Sequence, residues 1–260
     1  MWANKAVFDA NGISVPTTWD EVNAAAEKLQ AAGIIPFAHG GQAWQDATVF
    51  EAVAMGIGGN NYYKNCYVDL KESCLRSETT VKVFDQMRKL QSYTDEGSPG
   101  RDWNVATGMV IEGKAGFQIM GDWAKGEFTA AGKTPGVDYY CSPTPSNNGY
   151  LYNVDSFIFY KTSDPDKQEG QKLLAKLMMG KNFQKVFNLY KGSIPARLDV
   201  SMDEFDKCAK TSNADIKTAG ASGGLVPSFA HGMAQGNTMK AALQDIITEH
   251  FNSDMSSVDA

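Results

Sequence analysis

The chain has 260 residues, of which 43% are hydrophobic and 21% charged, and its formal net charge is −6. That length and balance fit one large or two modest globular domains with a hydrophobic core, and they exclude a disordered chain. Acidic and basic residues are interspersed without a basic stripe, and no apolar run is long enough to span a bilayer, so neither a nucleic-acid partner nor a transmembrane segment is expected.

Amphipathic helices are predicted in the first part of the chain. The stretch VPTTWDEVNAAAEKLQAAG has Thr18 and Glu21 at capping-box spacing, an apolar face that begins with Trp19, and Gly33 where a helix would end. A second helix is expected near SETTVKVFDQMRKLQSY, with four residues facing the core: Val83, Phe84, Met87 and Leu90.

The rest of the chain predicts short strands and then further helices. Strands are expected in KAGFQIMGDW, VDYYCSPTPS and YLYNVDSFIFYK. The stretch SDPDKQEGQKLLAKLMMG predicts a helix capped by Ser163 with Pro165 in its first turn, and NFQKVFNLYKG predicts one that closes at Gly192. The last predicted helix, NTMKAALQDIITEHF, has an apolar side made of Met239, Leu243, Ile246 and Ile247. This alternation, with more helix than strand, predicts an α/β fold.

Three tryptophans stand beside polar residues in glycine-rich stretches that are predicted to be turns. Trp44 lies in GGQAWQD next to Gln42, Trp103 lies in GRDWN, and Trp123 lies in MGDWAKGEF. A tryptophan ring matches the C–H face of a pyranose, and amides or carboxylates match its hydroxyls. The combination favours a carbohydrate site, although each tryptophan taken singly is also compatible with a partly buried core position.

Two charged residues are further candidates for ligand contact. Asp155 interrupts the strand-like run YNVDSFIF, where a carboxylate without partners is costly to bury, so it serves either the structure or a ligand. Lys191 lies in YKGSIPAR at the predicted C-terminal end of a helix, where a cation is stabilised even without a ligand.

Motifs for metal, phosphate or nucleophilic chemistry are missing. The tetrapeptide FAHG occurs twice, at Phe37–Gly40 and Phe229–Gly232, but His39, His231 and His250 lack metal-ligand spacing. There is no G-x-S-x-G elbow and no phosphate-binding loop, so neither a metal nor a cofactor is expected. The four cysteines contain no C-x-x-C pair, which leaves buried thiols and disulfides both open.

The motifs, taken in order, resemble those of the extracellular sugar-binding proteins of ATP-driven (ABC) importers. NKAVFDANGISVPTTWDEV, HGGQAWQDATVFE, GRDWN, KAGFQIMGDWAKGEF, NVDSF, FNLYKGSIPAR and VPSFAHGMA are similar to the periplasmic glucose- or mannose-binding branch. The resemblance covers nearly the whole chain. It implies a type II periplasmic-binding-protein-like α/β fold, in which two lobes close on the ligand. It further implies a non-enzymatic receptor that binds a monosaccharide, glucose first, and delivers it to a membrane permease.

The resemblance also implies a ligand set and a disulfide. The positions that match sugar-contacting residues of the family are Trp103, Trp123, Asp155, Lys191 and His231, with Gln42 and Trp44 as further candidates. A Cys141–Cys208 bridge is expected. A second bridge between Cys66 and Cys74, across a hairpin, is left open, as is the role of His39.

Compared with that family, the chain is expected to begin inside the second lobe. Residues 1–154 and 201–260 are assigned to the C-terminal sugar-binding lobe, and 155–200 to a segment that returns to an N-terminal lobe whose remainder is absent. The opening residues MWANKAVFDANG form no signal peptide, but the family resemblance makes the periplasm the expected compartment. Apolar side chains of 155–200 should then lack cover. The chain is therefore expected to associate with a copy of itself through the incomplete lobe, to capture the missing lobe from another chain, or to leave this segment poorly ordered.

Two other functions stay open at the level of sequence. A tryptophan-rich cleft with carboxylates such as Asp122 and Asp155 also suits a glycoside hydrolase. The chain can also be an inactive remnant of a longer receptor. These residues do not define which hexose is preferred. They also do not define whether a second chain supplies the missing lobe.

Overall fold

The computed structural model describes residues 1–260. Its strands are β1 (Trp2–Asn4), β2 (Ile35–Phe37), β3 (Ala115–Gln118), β4 (Tyr139–Cys141), β5 (Tyr150–Tyr152) and β6 (Leu225–Pro227). Its α-helices are α1 (Lys5–Ala10), α2 (Trp19–Ala31), α3 (Ala43–Tyr63), α4 (Glu72–Leu75), α5 (Glu78–Ser92), α6 (Trp103–Ile111), α7 (Ala124–Ala130), α8 (Pro165–Met178), α9 (Lys181–Lys191), α10 (Lys207–Ser222) and α11 (Asn237–Asn252). None of these helices combines the length and the apolar character that crossing a membrane requires.

Two small sheets organise the strands. The larger has the order β2-β3-β1-β4, in which β1 pairs antiparallel with both β3 and β4 while β2 and β3 are parallel. The smaller pairs β5 with β6 in parallel, with Tyr150 opposite Leu225. This second pairing joins the parts of the chain that precede and follow residues 155–200.

The predicted helices α2 and α5 are confirmed. In α2 the Thr18 side chain accepts the backbone N–H of Glu21, and the Glu21 carboxylate accepts the backbone N–H of Thr18, which closes the capping box. The apolar residues expected to face inward on α5 are all buried: Val83, Phe84, Met87 and Leu90. Both helices therefore pack their apolar faces into the main core, which also takes in Phe50, Tyr67 and Phe229.

Helix α3 is the main element that sequence patterning missed. It is buried on almost every side from Gln45 to Met55, so it has no polar face to give it a helical period. Gly59 interrupts it with φ of 74°, a left-handed conformation that glycine adopts without steric cost.

Four local predictions are wrong. The cap of α8 is Asp164 rather than Ser163, because the Asp164 carboxylate accepts the N–H groups of the first helical turn. Residues 155–160 form no strand. On α11, Met239 and Ile246 are exposed while His250 and Phe251 are buried. The stretches around Trp44 and Trp103 are helix starts rather than turns.

Two disulfide bonds cross-link the chain. Cys141 at the end of β4 is joined to Cys208 in α10, with Cα atoms 6.0 Å apart. Cys66 is joined to Cys74 with Cα atoms 5.2 Å apart. The residues between the second pair form a π-helical turn and the start of α4, not the expected hairpin.

Most of the exposed large apolar side chains lie in segment 155–200. Leu173 and Leu177 are each about three-fifths exposed, at 60% and 61%, and lie on one side of α8. Phe157, Phe159 and Phe187 are also exposed, and the half-buried Phe183 stacks on Phe187. The assignment of this segment to a second lobe stays a prediction.

The segment meets the rest of the molecule at a close backbone contact. Gly192 has φ of 95°, and a Cβ atom there would lie 2.7 Å from the backbone nitrogen of Gly126. A Cβ on Gly126 would lie 2.9 Å from the carbonyl oxygen of Lys191. Only glycine at both positions allows α9 to end directly against the start of α7.

Candidate functional site

Three aromatic rings form the centre of the candidate site. The ring of His231 meets that of Trp123 edge to face at 5.1 Å between centroids, and lies 6.1 Å from that of Trp44. The two indole rings are 6.4 Å apart. The cluster brings together residues from α3, from the start of α7 and from the turn after β6, which are far apart in sequence.

Trp44 is held in place by amide groups. Its Nε1 donates to Gln42 Oε1 at 2.8 Å, and Gln42 Nε2 donates to Asp102 Oδ1 at 2.6 Å. Gln45 Nε2 also donates to Gln42 Oε1, at 3.1 Å. The two candidates Gln42 and Trp44 therefore form one polar cluster that links α3 to the start of α6.

Trp103 lies at the edge of the site. It is the first residue of α6, is half-buried, and packs against the same small core as Trp44 and Trp123. Its carbonyl oxygen accepts hydrogen bonds from Thr107 Oγ1 and Gln118 Nε2, which fix its backbone. The ring of Trp103 is not part of the three-ring cluster.

Asp155 and Lys191 form an ion pair, in which Lys191 Nζ donates to Asp155 Oδ2. The Asp155 side chain is 60% exposed and the Lys191 side chain 30% exposed, so the pair is open to a ligand. Lys191 lies in the last turn of α9, where the helix dipole stabilises a cation.

Asp155 of the ion pair lies near enough to His231 of the three-ring cluster for its charge to act on the imidazole. Burial lowers the pKa of His231 to about 4, while the nearby charge of Asp155 opposes this shift and that of Lys240 adds to it. His231 is therefore neutral at pH 7, with one ring nitrogen that donates and one that accepts. Its Nε2 lies 3.2 Å from Thr48 Oγ1.

Asp122 and Ser193 are polar residues of this region that lie outside the ligand set predicted from the sequence. Asp122 precedes Trp123, and its Oδ1 accepts from Ser193 Oγ at 3.0 Å. Burial raises the pKa of Asp122, although Ser193, Lys191 and Lys125 act in the opposite direction. In the sequence, Asp122 is indicated only by its position beside the candidate Trp123. Ser193 is indicated only by its position two residues after Lys191.

The two FAHG copies have different roles. His39 is 1% exposed, stacks on Phe37, and has its Nε2 2.7 Å from Asp46 Oδ1. It is therefore a core residue, whereas His231 belongs to the candidate site. Across residues 1–260, no group of three metal-ligating side chains is placed to hold an ion.

The fold is that of solute-binding proteins. The chain superposes with a TM-score of 0.80 on the bacterial solute receptor AcbH, described as having an exclusive preference for β-D-galactopyranose, at 21% identity. It superposes with a TM-score of 0.79 on a chitin oligosaccharide binding protein at 19% identity. Each match covers 99% of this chain and 65% of the other, and confirms the predicted α/β solute-binding fold.

Sequence comparison gives the family. Residues 1–178 match the bacterial extracellular solute-binding proteins, and the chain belongs to that family. It is 48% identical to a protein of Brucella suis named a probable sugar-binding periplasmic protein, and 45% identical to one of the same name from Rhizobium meliloti. The alignments cover all of this chain but 62% and 63% of those relatives, so the chain spans less than two thirds of their length.

Proposed function

We propose that the chain binds a monosaccharide, with glucose as the expected ligand, and serves as part of a non-enzymatic periplasmic receptor for an ABC sugar importer. The observation that carries the proposal is the three-ring cluster of Trp44, Trp123 and His231 beside the Asp155–Lys191 ion pair. The names of the Brucella and Rhizobium relatives support the same assignment.

The chemistry of the region suits a pyranose. The indole rings of Trp44 and Trp123 offer apolar faces for ring C–H groups. Asp155 accepts from hydroxyls, Lys191 donates to them, and neutral His231 does either. Two neighbouring hydroxyls of a sugar can bridge the pair, one donating to Asp155 and the other accepting from Lys191, so that both charged groups keep hydrogen-bond partners.

The direct test is calorimetry of the purified chain against hexoses and pentoses, from micromolar to millimolar sugar. We expect glucose to give the largest binding signal, and a panel without any heat of binding would overturn the proposal. Incubation with aryl glycosides tests the alternative: released phenol would indicate a glycoside hydrolase and contradict the receptor assignment.

Asp155→Ala should weaken sugar binding by roughly 1.5–3 kcal/mol, because a hydrogen bond from a hydroxyl to a charged acceptor is lost. The readout is the dissociation constant from calorimetry. Asp199→Ala is the matched control, since Asp199 is an exposed, ion-paired aspartate of the same segment, bound to Arg197 and Lys181. Equal affinities for both variants and the unchanged chain would remove Asp155 from the site.

The exposed apolar surface of segment 155–200 supports self-association as part of the proposal. Leu173, Leu177 and Phe187 are side chains of the kind that interfaces bury, at about 1.5–3 kcal/mol each. Light scattering should therefore give a mass above that of one 28.2 kDa chain. The double variant Leu173→Lys/Leu177→Glu should return the mass to that of a monomer, while Val137→Lys, at an exposed position elsewhere, should not. A monomer before substitution would contradict this part of the proposal.

A further inference from the structure

Glu51 is a buried carboxylate outside the cluster of ligand candidates. It lies on α3 and is 3% exposed. Its two oxygens accept from Ser228 Oγ at 2.7 and 2.9 Å, and Oε2 also accepts from Tyr63 OH at 3.1 Å and from the backbone N–H of Ala230 at 3.3 Å. Burial raises the pKa of Glu51 to about 7, although these donors oppose the shift. Keeping such a group inside a core is costly unless its partners are placed for it.

The partners of Glu51 all serve one turn, residues 228–231. Three successive backbone N–H groups of this turn end on side-chain oxygens: Phe229 donates to Tyr63 OH at 3.0 Å, Ala230 donates to Glu51, and His231 donates to Ser228 Oγ at 3.1 Å. Ser228 and Tyr63 are themselves bonded to Glu51. Glu51 thus accepts one of these N–H groups directly and bonds the two side chains that accept the others, in addition to the backbone bonds that Gly232 and Met233 donate to the turn.

Helix α3 also contacts the ring that this turn carries. Thr48 and Glu51 are three residues apart and so lie on one side of the helix. Thr48 Oγ1 is 3.2 Å from His231 Nε2, while Glu51 holds the backbone leading to the same residue. Backbone and ring of His231 are therefore fixed from a single helix face.

We infer that Glu51 is a positioning residue: it holds the turn 228–231 so that the imidazole of His231 stays against Trp44 and Trp123. The expected effect of Glu51 on sugar affinity rests on the proposed function. Its effect on the position of the His231 ring is independent of that function. Packing alone does not account for Glu51, because an apolar side chain of the same size would fill the space without requiring three hydrogen-bond donors.

The experiment follows the Cε1 proton of each of the three histidines by NMR while pH is varied, in the unchanged chain and in Glu51→Gln. The amide of the variant offers one acceptor oxygen in place of two. The turn should loosen, the ring of His231 should gain access to water, and its titration midpoint should rise toward the ordinary histidine value of about 6.5. At any one pH, the proton signals of His39 and His250 should be the same in the unchanged chain and in Glu51→Gln. Sugar affinity should fall on the order of tenfold.

Two further variants complete the test. Ser228→Ala removes the hydroxyl that connects Glu51 to the backbone N–H of His231. If Glu51→Gln does not fold, the titration of His231 is measured in this variant instead. Asp46→Asn alters another buried carboxylate of α3 that bonds His39 and Thr248, so the titration of His231 should not change. An unchanged His231 titration in folded Glu51→Gln or, if that variant does not fold, in Ser228→Ala would overturn the inference. A shifted titration in a chain that binds no sugar would support the inference and contradict the proposed function.

Discussion

Replacing Cys141 and Cys208 together by alanine should lower the free energy of unfolding by roughly 4–5 kcal/mol. The two residues are 67 positions apart, and in the chain-entropy model the cost grows with the length of the loop that the bridge closes. The bridge ties β4 of the larger sheet to α10, which leads into β6 of the smaller sheet. Denaturant unfolding of the oxidised chain and of the double variant measures the difference.

The second cross-link provides the matched control. Cys66 and Cys74 are 8 positions apart, so the same model gives roughly 2.5–3 kcal/mol for their replacement. The long bridge should therefore cost more than the short one. Equal costs, a reversed order, or free thiols at Cys141 and Cys208 in peptide maps of oxidised material would contradict the expectation.

Trp123→Ala should weaken sugar binding by about 2 kcal/mol or more, which is on the order of 30-fold. The substitution removes an apolar face for the pyranose and also the ring against which His231 rests edge to face. Calorimetry with the sugar that binds most tightly to the unchanged chain provides the measurement.

Trp19→Phe is the control for this substitution. Trp19 is 7% exposed in the main core and its indole N–H has no partner, so the change leaves no acceptor unsatisfied. It should leave sugar affinity unchanged while removing the fluorescence of one indole.

Trp103→Ala then tests the remaining tryptophan candidate: a loss of sugar affinity as large as that of Trp123→Ala would place the ring of Trp103 against the ligand. Unaltered affinity in Trp123→Ala would exclude the three-ring cluster as the sugar site.

Helices with one face exposed to solvent could be predicted, because apolar and polar residues then alternate along the sequence with the period of a helix. α2 and α5 have apolar residues three and four positions apart and capping residues at their starts. α3 lacks this signal since its middle is buried all round, and the glycines before Trp44 favour a turn at the point where the helix begins. In 155–160, β-branched and aromatic residues predicted a strand, yet propensity forms no strand where no neighbouring strand pairs with it.

The candidate site could be predicted by residue type but not by geometry. Tryptophans beside polar groups indicated a sugar-like ligand, and the family resemblance added His231. Nothing local to the sequence distinguishes His231 from His39, since both stand in FAHG. The difference arises in the tertiary structure, where Asp46 and Phe37 enclose His39 and Trp44 and Trp123 flank His231.

The position of β1 has a consequence for how the chain folds. β1 lies between β3 and β4, so residues 2–4 find their partners only in residues 117–118 and 139–141. Pairings this distant in sequence raise the contact order and slow the formation of the sheet. At about 5–20 residues per second of synthesis, β1 emerges from the ribosome roughly 7–27 s before β4 is complete. During that interval the side chains of Trp2 and Ala3, which are buried in the folded chain, have no completed sheet to enter.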